Sequence, residues 1–192
     1  MPNDLSDLSD RLSGTGLRLM GHCAEEAGST ILLLGPDEPA FWPIFSNSAE
    51  YRDGAADPLD RWSKRLIEGL AHDLGAEALF PSDGPPYPPF QRWALESGRA
   101  YLSPVGMLVH ADAGLWISFR GALRIARAIP PAPAPTPCDR CAAQPCLTAC
   151  PVGALGAGGY DVTRCHAFLD TPEGAECMAR GFAYESVCRG PS

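Results

Sequence analysis

Apolar positions along this chain gather in short runs more than in long stripes. Leu17–His22 and Thr30–Gly35 read as strands, the second an apolar run closed by Gly35-Pro36. Asp57–Gly75 carries the clearest helical period, since Leu59, Trp62, Leu66, Leu70 and Leu74 recur every three to four positions and define one buried stripe. Asp57 is placed to cap that helix, Pro58 suits its first turn and Gly75 is placed to end it. Glu77–Phe80 reads as a third strand and Phe90–Glu96 as a short helix stopped by Ser97-Gly98. Met107–His110 and Leu115–Phe119 flank Ala111-Asp112-Ala113-Gly114, a turn-forming tetrad, and read as a hairpin. This upstream part is expected to be an α/β domain, long enough to bury its own core without a metal.

The sharpest break follows. Ile129–Pro137 reads IPPAPAPTP, which forms neither a helix nor a central strand and acts as a semi-rigid spacer. The expected division is an α/β domain over 1–128, a Pro-rich linker over 129–137 and a Cys-rich module over 138–192, an α+β chain overall. The net charge of −8, from 15 basic and 23 acidic residues, argues against a nucleic-acid partner. The longest aliphatic run, Ile31–Leu34, falls far short of the ~20 residues that span a bilayer, so no membrane insertion is expected. Met1–Gly14 is acidic and polar, unlike a secretory leader, and a cytoplasmic location is expected.

The cysteines change the picture most. Of eight, seven (Cys138, Cys141, Cys146, Cys150, Cys165, Cys177 and Cys188) follow the linker. In a reducing compartment such a cluster points to metal binding or redox chemistry before disulfides. The run CDRCAAQPCLTACP has the spacing C-x2-C-x4-C-x3-C-P. Bacterial ferredoxin-type sites use C-x2-C-x2-C-x3-C-P, with three cysteines on one 4Fe-4S cluster and the fourth on another. Here the second gap is longer, but Cys146-Leu-Thr-Ala-Cys150-Pro151 keeps the form. A short turn lets Cys138, Cys141 and Cys146 converge. Cys150, one helical turn after Cys146, then points elsewhere, and Pro151 stops that turn. A zinc-stabilised interaction module is the competitor, but it prefers two separated C-x2-C pairs and the second is absent.

PCLTACPVGAL followed by GYDVTRCHAFLDTPEGAEC resembles the ferredoxin-type module of epoxyqueuosine reductases. It is more similar still to a group of bacterial ferredoxin-like proteins of about this length. Upstream, WALESGRAYLSPVGMLVHADAGLWISFRGAL also resembles the segment before that module. The resemblance implies two 4Fe-4S clusters held by eight cysteines, with Arg164-Cys165 matching the family's Arg-Cys pair. On it, Cys138, Cys141 and Cys146 hold one cluster, completed by Cys188. Cys150, Cys165 and Cys177 hold the other, which lacks a fourth thiolate. Phe182 stands where the relatives have Cys and Arg189 where they have Pro, so the resemblance implies an altered or shortened tail.

Other residues carry weaker signals. Cys23 reads as a small buried hydrophobe, with an eighth-ligand role as the alternative. His166 is an imidazole beside Cys165, an awkward second ligand because helix neighbours diverge by about 100°. His72 and His110 have no partner at motif spacing. Ser103-Pro104-Val105-Gly106 reads as a turn or as a ligand-lining loop, and the Ser82–Pro89 stretch as an exposed connector. The expected function is one-electron transfer through at least one 4Fe-4S cluster, with an unidentified redox protein as partner. The acidic surplus reads first as a solvated surface, with steering of a basic redox partner as the alternative. The alternative is an iron–sulfur reductase whose upstream domain binds a substrate or a second cofactor, which in epoxyqueuosine reductase is cobalamin.

Overall fold

A computed structural model describes residues 5–25, 28–175 and 177. In chain order its elements are α1 (Leu5–Leu12), β1 (Leu17–Ala24), β2 (Thr30–Pro36), α2 (Phe41–Ser46), α3 (Ala49–Arg52), α4 (Pro58–Leu74), β3 (Glu77–Leu79) and α5 (Phe90–Glu96). There follow β4 (Ala100–Leu102), β5 (Leu108–His110), β6 (Gly121–Ile125), β7 (Leu155–Gly156), β8 (Gly159–Tyr160) and α6 (Val162–Leu169). The protein mixes helix and sheet as an α+β chain.

The apolar run of β2 makes it a central strand, buried along nearly its whole length. It pairs antiparallel with β1 on one side and β6 on the other, and β3 completes the order β1-β2-β6-β3. Every pairing is antiparallel, which corrects the α/β expectation for the upstream part. Leu32 and Leu34 enter a core with Leu8 and Leu12 of α1, Phe41 and Phe45 of α2, and Trp62, Ile67 and Ala71 of α4. α5 packs against β1 and β2. In α4 the fully buried positions are Trp62, Ser63, Ile67 and Ala71, so the expected leucine stripe flanks the buried face instead of centring it. Gly75 ends α4 in the left-handed conformation, at φ 61°. Asp57 precedes the helix but makes no side-chain cap bond, a second correction.

The chain forms two compact units. One gathers the described residues of Met1–Gly98 and Ser118–Pro133, the other those of Arg99–Ile117 and Ala134–Ser192. One junction falls inside the Pro-rich stretch. Residues 99–117, however, segregate with the cysteine segment and leave the expected 1–128 domain. The physical reason is apolar: Val105, Val109 and Leu115 are buried together with Cys146 and Leu155. The hairpin differs too. β5 pairs with β4, not with Leu115–Phe119, and Leu115 is a core residue beyond an isolated bridge between His110 and Gly114. Among the described residues no helix is long and apolar enough to cross a membrane.

Candidate metal centre

The cysteines of the second unit sit on short turns whose geometry follows from their spacing. Pro137–Arg140 forms a 3₁₀ turn, entered by Pro137 and capped by Thr136, whose hydroxyl accepts from the Cys138 amide at 3.3 Å. Side chains three apart eclipse on such a turn, and the Cys141 amide donates back to the Cys138 carbonyl at 3.2 Å. The C-x2-C spacing therefore turns both thiols to one side. Gln144 adopts φ 39° and ψ 54°, reversing the chain into a second 3₁₀ turn, Pro145–Leu147, which buries Cys146. The two residues added relative to the ferredoxin spacing are accommodated by this reversal.

Cys150 leaves in another direction. The Gly153 amide bonds the Cys150 carbonyl at 3.1 Å, and the Ala154 amide donates to Cys150 Sγ at 3.2 Å. Gly153 takes φ 64°, and Arg164 Nη1 donates to its carbonyl at 3.3 Å. The β7–β8 hairpin then returns the chain to α6. Asp161 caps that helix by accepting from the Arg164 amide at 2.9 Å. Cys165 is buried on the face of α6 turned toward Cys150.

The result is a partition. Cys138, Cys141 and Cys146 line one small cavity of about 20 Å³, walled also by Ser103, Pro104, Leu115 and Gln144. Cys150, Cys165 and Cys177 line a second, of about 120 Å³, with Met107, Leu155, Tyr160 and Phe168. None of these six is in a disulfide. Among the described residues no group of three or more His, Cys, Asp or Glu is placed to hold a single metal ion. The thiols line the walls of these two cavities. A donor set of three soft sulfurs around an apolar cavity fits a polynuclear iron–sulfur cluster, whose ligands bind different irons.

The electrostatics agree with this grouping. Burial pushes the Cys146 thiol up, and Cys138 and Cys141 push it further; burial likewise raises Cys138. The Tyr160 phenol is raised to about 12, first by its hydrogen bond with Cys165, then by burial and by the charges of Cys165 and Cys150.

Cys188 and Phe182 lie outside the described residues. Cys23 is buried in β1 of the first unit, its thiol pushed up to about 11, chiefly by burial. His166 is exposed and lines neither cavity. His110 is buried, its Nδ1 accepting from the amides of Asp112 and Ala113 at 3.1 and 3.2 Å, and His72 is exposed beside Asp73. Of the Ser103–Gly106 turn, Ser103 and Pro104 line the cavity of Cys138. Tyr160 and Met107 had no motif to announce them. They become visible only once the hairpins fold. Comparison with protein-family profiles, curated proteins and solved structures returns no match.

Proposed function

We propose that the chain is an iron–sulfur electron-transfer protein that carries at least one 4Fe-4S cluster in a ferredoxin-like module. The supporting observation is the division of six cysteines, three and three, around two cavities. A structural zinc site prefers two separated C-x2-C pairs, and this chain has one, Cys138–Cys141. When bound, such a cluster accepts and returns single electrons at a potential set by its surroundings.

The chain's own residues would set that potential. The Ala154 amide, donating to Cys150 Sγ, favours the more negative, reduced form of whatever Cys150 ligates. Cys146 and Cys165 are buried, and Val105, Val109 and Leu155 keep water from the walls behind them. With a net charge of −8, the surface suits a basic redox partner in a reducing, cytoplasmic setting.

The test is anaerobic purification followed by iron and acid-labile sulfide analysis, with electron paramagnetic resonance of the reduced protein. Brown protein with matched iron and sulfide is expected. Stoichiometric zinc without sulfide would overturn the proposal.

A further inference from the structure

The first unit holds a cavity of about 100 Å³ unrelated to the cysteines, lined by Asp60, Lys64, Phe80, Ser82, Phe119 and Arg120. Arg120 is the unusual member. Its side chain is only 20% exposed, and Nε is buried with no hydrogen-bond partner among the described residues. Of its other guanidinium nitrogens, Nη2 donates to Ser118 Oγ at 3.0 Å, while Nη1 reaches Asp60 Oδ1 only at 3.8 Å, too far for a hydrogen bond. A guanidinium has five N–H donors and stays charged, so a buried one normally finds acceptors for most of them. This one is held in place without them: its backbone amide donates to the Leu34 carbonyl at 2.8 Å, anchoring it to the central strand.

The rest of the lining suits an incoming acceptor. Lys64 Nζ stands 5.3 Å from the Phe80 ring centre and 3.1 Å from Asp83, an exposed pair that a stronger anion can displace. Ser82 adds a hydroxyl, and the aromatic edges of Phe80 and Phe119 lower the local dielectric. Two carboxylates oppose an incoming anion: Asp83, already paired with Lys64, and Asp60, which is 60% exposed and free to turn to solvent.

We infer that this cavity binds a small oxyanion, the phosphate or carboxylate group of a free ion or larger metabolite, with Arg120 as its principal donor and Lys64 as its second. Burial acts in the same direction by disfavouring the bare guanidinium charge, which an anion would compensate.

Isothermal titration of the full chain, purified anaerobically, tests this with inorganic phosphate and, separately, acetate, against chloride at matched ionic strength. Saturable binding of phosphate or acetate is expected, and the arm that saturates names the group. Arg120→Gln should weaken it about tenfold or more, the scale of a lost charge-assisted hydrogen bond. Asp60→Asn should tighten it severalfold by removing the like charge. Lys64→Ala keeps the question answerable if Arg120→Gln does not fold, because a several-fold weakening is expected there too. No saturable heat in either arm, or binding unmoved by Asp60→Asn and Lys64→Ala, would overturn the assignment and leave Arg120 satisfied by water.

Discussion

Gly35 shows how much one absent methyl group can decide. A Cβ there would lie 2.7 Å from Met20 Cγ and would collide with the Ser118 carbonyl. Met20 is the extra residue of a bulge, since Leu19 faces Leu34 while Gly21 faces Leu33. The bulge and the glycine therefore belong together. Gly35→Ala should destabilise the protein by about 1–3 kcal/mol, the usual cost of overpacking a close-packed core. Urea denaturation measures it, and an unchanged midpoint would mean that both Met20 and the Ser118 carbonyl move aside freely. At the same scale, the thiols make separable predictions. Cys146→Ser should remove the iron held with Cys138 and Cys141 and spare that held with Cys150, so roughly half the iron remains if both sets are filled. Cys165→Ser should spare the other half. A single substitution that empties both sets would show one shared centre. Two four-thiolate clusters need eight cysteines and only seven follow the linker, so Phe182→Cys should raise the iron content toward two full clusters. Iron near eight per chain before that substitution would show that another residue supplies the missing ligand.

Elements are tied together by carboxylate–guanidinium pairs, and these set the acid limit of the fold. Arg124 of β6 donates to Glu25 beyond β1 at 2.6 and 3.0 Å and to Glu77 of β3 at 2.5 Å. The Arg124 hydrogen bond is the largest cause holding the Glu25 carboxyl below its usual range. Arg65 of α4 does the same for Glu50 of α3, which falls to about 2. A depressed carboxylate adds stability above its unfolded pKa of ~4.3 and loses it as pH falls through the folded value. Thermal stability should therefore be flat above about pH 5 and decline toward pH 2, and Arg124→Gln should flatten that decline. A decline as steep in the variant would exclude Arg124 as its source. The pairs are partly exposed, so added salt should shrink the effect. At this scale the sequence was readable where a local signal was strong. The apolar run of β2 and the Gly75 stop of α4 needed no tertiary context. β4 and β6 were missed because strands of three and five residues carry too little alternation to declare their partners. Leu115–Phe119 reads as a strand because its apolar residues flank a good turn, yet Leu115 is buried by Val105, Val109 and Cys146, which the turn does not foretell.

Across the whole molecule the division into units is the feature least visible in the sequence, because composition marks only one of its junctions. The Pro-rich stretch announces itself; the passages at Gly98–Arg99 and Ile117–Ser118 do not, since what separates them is which core they enter. The turn that gathers Cys138, Cys141 and Cys146 was legible for the opposite reason: spacing along a turn fixes direction within a few residues, whereas the placing of Cys165 and Cys177 beside Cys150 depends on the later hairpin and helix. These two facts combine into a prediction. Val105, Val109 and Leu115 share a buried cluster with Cys146 and Leu155, so the β4–β5 hairpin depends on the segment that carries the thiols. A two-stranded hairpin alone is marginal in water. The four-stranded sheet, by contrast, rests on Leu32, Leu34, Phe41, Trp62 and Leu123, none of them near a ligand in the chain. Stripping iron anaerobically with a chelator should therefore raise amide hydrogen exchange in residues 100–110 together with residues 138–169, while β2 and β6 stay protected. Mass spectrometry of the exchanged full chain resolves these segments. If residues 100–110 instead keep the protection of β2 after iron is lost, the hairpin draws its stability from the first unit, and the folding of the thiol-bearing core does not depend on the metal.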